Sequence, residues 1–281
     1  MKRALSVTTL ITYLLINYIG SQPASAQNFT PYVGFHGGVN LSHPSVQQSF
    51  HIITLLDDQA PILSEYTPVY QNLGNQLGFS LILDFNDHLG LALLPQQGVY
   101  NYSYAFSVDF YDSQNTAYSR TETESHQRLS YINLPLIFRY IIIKSKWSPF
   151  LFGGTAYGIL RSASGDVNVT ITQLIDNTVE ITPIPNGEDQ VFIRSKISLL
   201  AGAGVLYDLE QVQIGLDLAY WYGLHNITHE ANRFNNQISS GGAYDVPSDI
   251  KLHHYALNLS VLFPINKLNN MGSLDCIPIK K

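Results

Sequence analysis

The chain has 281 residues, of which 45% are hydrophobic, 12% aromatic and 13% charged, with a formal net charge of −6. A soluble domain usually carries about 25% charged residues. This chain has far fewer, yet it is too apolar for a disordered polymer, and no apolar run reaches the ~20 residues that a spanning helix needs. With 18 Tyr, 13 Phe and 20 Gly, it is strand material with tight turns.

The first element is an export signal. Lys2 and Arg3 form a positive start, Leu10 to Ile19 an apolar core, and Ala24-Ser25-Ala26 a small-residue cleavage pattern. Residues 1–26 are therefore expected to be removed, leaving Gln27 first. Loss of Lys2 and Arg3 takes the formal charge from −6 to −8. An acidic chain without a basic patch is not expected to bind nucleic acid. The single cysteine, Cys276, excludes an internal disulfide.

Eight segments follow with the period-2 alternation of strands that have two different faces. They lie near 30–41, 74–86, 89–104, 126–143, 148–163, 191–208, 212–224 and 251–264. In the second, Leu77, Phe79, Leu81, Leu83 and Phe85 take one face and Gln76, Gly78, Ser80, Ile82 and Asp84 the other. In the seventh, Ile214, Leu216, Leu218, Tyr220 and Tyr222 oppose Gln213, Gly215, Asp217, Ala219 and Trp221. Short turns at 86–88, 144–146 and 209–211 alternate with long connections at 42–73, 105–125, 164–190 and 225–250. Such alternation puts every long loop at one end, as in a transmembrane barrel.

Face chemistry separates that barrel from a soluble sandwich. One face is nearly free of charge, as lipid contact requires, because a cation at mid-bilayer costs about 2–4 kcal/mol. The other is small and polar, fitting the narrow interior of eight strands. The expected fold is an all-β, eight-stranded antiparallel up-and-down transmembrane β-barrel with long extracellular loops and short periplasmic turns. The barrel domain spans 27–265 and a periplasmic tail spans 266–281. Aromatics near strand ends (Tyr32, Phe85, Tyr140, Trp147, Tyr207, Trp221, Tyr222 and Phe263) fit interfacial girdles. Residues 104–110 with 118–123, and 167–171 with 179–182, are expected to continue strands three to six above the membrane. Ten or twelve strands around a wider lumen is the alternative.

The segment Leu129-Ser130-Tyr131-Ile132-Asn133-Leu134-Pro135-Leu136-Ile137-Phe138-Arg139-Tyr140 resembles the fourth-strand signature of the PorT-like outer-membrane β-barrel family of Bacteroidota. Pro149 to Gly158 is similar to that family's Gly-rich fifth strand, and Gly90 to Tyr100 to its third. Gln96 and Gln97 stand where the family often has an acid. The resemblance covers essentially all of the mature chain and its motifs are structural. It implies a small barrel of the OmpA and OmpX type in the cell outer membrane, with the type IX secretion and gliding role of the founding member as one expectation.

Asp84, Arg139, Lys196 and Asp217 share the expected interior and are read as a structural charge network that plugs the lumen, with ion passage as the rival reading. His225 and His229 frame Asn226-Ile227-Thr228, and His253-His254 follow. Without a third ligand held in place they make no metal site. No Gly-x-Ser-x-Gly elbow, His-Glu-x-x-His motif or P-loop occurs in the sequence. No catalytic residue, cofactor or metal is therefore expected. The expected role is structural or protein-interacting and non-enzymatic, with a PorT-like secretion accessory or a narrow channel as alternatives. The expected partners are outer-membrane lipid and envelope or secretion-machine proteins.

Overall fold

The computed structural model describes residues 30–48, 62–69, 72–111, 116–173, 178–187, 190–209, 211–232 and 248–265. The expected signal, the tail and Cys276 lie outside them. Eleven strands form one antiparallel sheet: β1 (Thr30–Gln48), β2 (Ile62–Val69), β3 (Leu73–Asp84), β4 (Leu89–Leu93), β5 (Gln96–Tyr111), β6 (Ala117–Ile141), β7 (Trp147–Gln173), β8 (Thr178–Gly187), β9 (Ser195–Asp208), β10 (Gln213–Gly223) and β11 (Asp249–Pro264).

These eleven reduce to eight staves. β3 pairs with β4 at Leu81↔Leu93 and with β5 at Gly78↔Gln96, so the register runs on across the break between them. The break falls at Pro95, which has no N–H to give to a ladder, although its carbonyl still accepts from Phe79 N at 2.9 Å. β2 sits above β3 on the same side of β5, and β8 sits above β9 on the same side of β7. The ring closes where β1 meets β11, from Tyr32↔Pro264 to Gln48↔Asp249.

Burial is inverted relative to a water-soluble sheet. Leu77, Phe79, Phe138, Leu218 and Leu259 are more than half exposed, whereas Gln76, Ser80, Asn133, Arg139 and Ser198 are buried. An outward apolar wall around a polar interior is the arrangement that a bilayer demands. The girdle is narrower than the sequence suggests. Tyr140, Trp147 and Tyr222 face outward, but Tyr32 and Trp221 are buried in the interior. They lie on the inward parity of their strands, and parity overrides nearness to a strand end.

A strand needs about 9–11 residues to span a bilayer, yet β6 has 25 and β7 has 27. The surplus of β5, β6 and β7, flanked by β2 and β8, forms a five-stranded sheet raised beyond the apolar wall. Continuation of strands three and four follows the expected hairpin. Strand six is interrupted instead, because residues 190–194 lie outside the named strands before β9 begins. The first long connection also contains β2, which the alternation did not reveal.

Candidate functional site in the barrel lumen

The expected charged side chains all point inward, but they occupy different levels. In the lower lumen, near the short turns, Arg139 donates from one terminal nitrogen to Asp84 Oδ1 at 2.7 Å and to Oδ2 at 3.0 Å. Its guanidinium also lies 5.8 Å from the centre of the Phe150 ring. Asp217 takes a hydrogen bond from Asn258 Nδ2 at 2.9 Å, and Asn258 Oδ1 accepts from Gln76 in turn. Arg139 and Asp217 line one cavity of about 60 Å³, with His36, Gln96 and Trp221 on its other walls. That volume holds a few water molecules and nothing larger. His36 fixes its polar side, reaching Ser80 Oγ at 2.9 Å and Gln96 Oε1 at 2.8 Å.

Lys196 stands apart. Gly204 is the cross-strand partner of Asp217, and Lys196 lies eight residues up the same strand, about 26 Å along it. Its ammonium sits 4.0 Å from the Tyr100 ring centre and 4.2 Å from that of Tyr131, with no hydrogen-bond partner among the described residues. The geometry is that of a desolvated cation–π clamp. Gly158, its cross-strand partner, leaves the room: a Cβ there would meet Lys196 Cγ at 2.9 Å. His254 stacks on Trp221 with ring centres 4.9 Å apart and closes the same layer.

A third layer caps the mouth at the long-loop end. Val191, Phe192, Ile227, Ile250 and Leu252 are buried against Tyr102, Leu129 and Ala163. The segment after β8 and the one after β10 pair at Phe192↔Thr228, supported by Ile193 N donating to Ile227 O at 2.8 Å and His229 N to Val191 O at 2.7 Å. Asn226 organises this cap. Its Oδ1 accepts from Thr228 N at 3.0 Å and from Ile250 N at 2.9 Å, while its Nδ2 donates to Asp249 Oδ1 at 2.7 Å.

Sequence reasoning singled out the histidines beside Asn226 and passed over Asn226 itself. The available signal was the Asn-x-Thr spacing, which favours a side chain bonding its own backbone two residues on. His225 reaches Ser195 O at 3.5 Å, and His253 accepts from Gly223 N at 3.1 Å. Among the described residues no three His, Cys, Asp or Glu side chains gather as a metal site would require. His36, Gln76, Gln96 and Asn258 were likewise missed as site residues, although inward parity marks all four.

Among solved structures the chain is similar to the N-terminal β-barrel domain of Pseudomonas aeruginosa OprF, at 14% identity over 84% of this chain and 97% of that one, with a TM-score of 0.32. It is also similar to Pseudomonas aeruginosa OprG, at 15% identity over 84% and 95%, TM-score 0.34. A third similarity is to Neisserial surface protein A, at 10% identity over 83% and 96%, TM-score 0.32. No curated protein matches the chain. A family model described as an outer membrane protein beta-barrel domain matches residues 25–229. That span runs from before β1 through the paired cap segments that end at His229, and on it the chain belongs to the outer membrane protein beta-barrel domain family.

Proposed function

We propose that this protein resides in the outer membrane as a closed barrel, exported through a cleaved signal at 1–26. On this reading it is non-enzymatic and works through its outer wall and raised sheet, in a structural or protein-interaction role. One observation carries it: the lumen is filled at three successive levels, by the Asp84–Arg139 pair, by the Lys196 clamp and by the Phe192–Ile227 cap. A barrel blocked in this way has little to conduct, and its exposed surface is what remains to meet a partner.

The test is conductance. The mature chain, refolded and inserted into a planar bilayer, is expected to leave the current at baseline. A stable open level would overturn the closed reading in favour of a narrow channel.

The secretion or gliding accessory role draws its support from the resemblance of residues 129–140 and 149–158 to PorT-like strands. Deleting the gene in its native host and comparing the secreted proteins and surface motility with the parent tests it. An unchanged secretome removes that role and leaves the general one.

A further inference from the structure

On three neighbouring staves the outward apolar wall ends in an arginine. Along β6, Phe138, Leu136, Leu134 and Ile132 are exposed, and the next exposed residue toward the long-loop end is Arg128. On β7 the outward Tyr157 and Ile159 give way to Arg161, also exposed. Below the start of β9, Ile197 belongs to the wall, and the exposed Arg194 precedes that strand.

Register brings these side chains near one another. Leu160 N donates to Arg194 O at 2.8 Å, which sets Arg161 and Arg194 on adjacent staves. Arg128 pairs with Ser164, three residues further along β7 from Arg161. Arg161 is also oriented, because its Nη1 donates to Gln97 Oε1 at 3.0 Å on the stave beyond. Among the described residues of β6 and β7, the acids of this face begin higher up, at Glu124 on β6 and at Asp166 opposite His126. In a chain of net charge −6, these three arginines thus lie on three adjacent staves within about four residues of one another in register.

The apolar wall runs down directly from the arginines, so an anion joined to an apolar group would be met at both ends. The guanidinium fork matches a phosphate bidentately, and long basic side chains carry their charge to headgroup level while their stems cover apolar surface. We propose that Arg128, Arg161 and Arg194 form a phosphate-binding rim for the headgroup of a phosphorylated glycolipid of the outer leaflet. Its acyl chains lie on the wall of Ile132, Ile159 and Ile197. The proposal rests on the outer-membrane reading, because only there does the long-loop end meet such a lipid.

Native mass spectrometry of the refolded mature chain in detergent tests the rim, with diphosphoryl lipid A as the probe. A one-to-one adduct is expected, weakened at least about tenfold in the triple variant Arg128→Gln, Arg161→Gln, Arg194→Gln. Dephosphorylated lipid A is expected to give little adduct. Equal adducts with both lipids, an unchanged triple variant, or displacement by millimolar inorganic phosphate would each overturn the lipid assignment. If the triple variant does not fold, Arg161→Gln alone carries the test: weaker binding supports the rim and unchanged binding overturns it. A cold-versus-boiled gel shift keeps the two readings distinct. A wild-type barrel that shifts but takes no lipid A loses the rim only, whereas absence of the shift strikes the outer-membrane reading itself.

Discussion

Asp84 of β3 and Arg139 of β6 belong to strands that are not neighbours, and they meet over Gly90 of the strand between. Gly90 is the cross-strand partner of both. A Cβ on it would come within 2.2 Å of Asp84 Oδ1, so the pair exists because that position carries no side chain. Both charges are buried, and removing one partner leaves the other uncompensated, at a cost of about 3–5 kcal/mol. Arg139→Ala is therefore expected to lower stability by that amount in urea unfolding from liposomes. Gly90→Ala should act in the same direction by displacing the carboxylate. The Asp84→Ala, Arg139→Ala double variant should recover part of the loss. Additive losses would mean that the two charges are not coupled.

Lys196 answers to opposite physics. Its ammonium gains about 2 kcal/mol from two tyrosine faces, against several kcal/mol for taking a cation out of water. Lys196→Met keeps the stem and removes the charge, so it is expected to unfold at equal or higher urea concentration than the parent. Lys196→Glu sets a carboxylate against the same electron-rich rings and should abolish the heat-dependent gel shift of a folded barrel. A strongly destabilised Met variant would show that the clamp outweighs its desolvation.

Parity explains what was legible and what was not. In a strand the side-chain period is two, so a single well-placed residue fixes the face of all the others. That is why Leu77 to Phe85 and Ile214 to Tyr222 could be sorted, and why Asp84, Arg139, Lys196 and Asp217 could all be placed inside. Parity says nothing about height. Whether Asp217 meets Lys196 or Asn258 depends on the register of β10 against β9, which the exact geometry of the 209–211 turn sets, and against β11, which follows a long connection and is not fixed by local pattern. Trp221 illustrates the same limit, since closeness to a strand end suggested a girdle while its parity with Asp217 and Ala219 turned it inward. The cap was the least legible part. Residues 191–193 read as the start of the sixth strand and 226–229 as part of a long connection, yet the two segments pair with each other. Asn226 braces that arrangement against the start of β11, a role that appears only once distant segments are side by side.

At the short-turn end, Asp87 and Lys144 form an ion pair on the surface. The hydrogen bond from Lys144, and then its charge, hold the Asp87 carboxyl below the usual range. A carboxyl depressed on folding adds stability above its unfolded pKa, about 3.9, and loses it as pH falls through the lower folded value. Both side chains are well over half exposed, so solvent screening keeps the contribution under about 1 kcal/mol. Asp87→Asn is expected to cost that small amount at pH 7, less in high salt, and nothing once the pH is low enough to protonate the wild-type carboxyl. Urea midpoints at three pH values check it. A penalty that persists at the acid end would mean that Asp87 acts through turn geometry instead of charge.

The outward wall permits a test with depth as its variable. Leu218 lies midway along β10, 56% exposed, with Leu257 and Ala203 as its cross-strand partners. Leu224 follows the end of the same strand toward the capped mouth and is also exposed. In water these two positions would be equivalent, and an arginine at either would be harmless or helpful. In a bilayer the cost depends on depth, about 2–4 kcal/mol at the midplane and about 0–1 kcal/mol near the interface. Leu218→Arg should thus lower the unfolding free energy measured in phosphatidylcholine liposomes by several times as much as Leu224→Arg. Neither substitution touches the lumen, so a difference between them cannot come from the plug. Equal and small penalties would mean that this wall faces water, and the membrane assignment would fall with it.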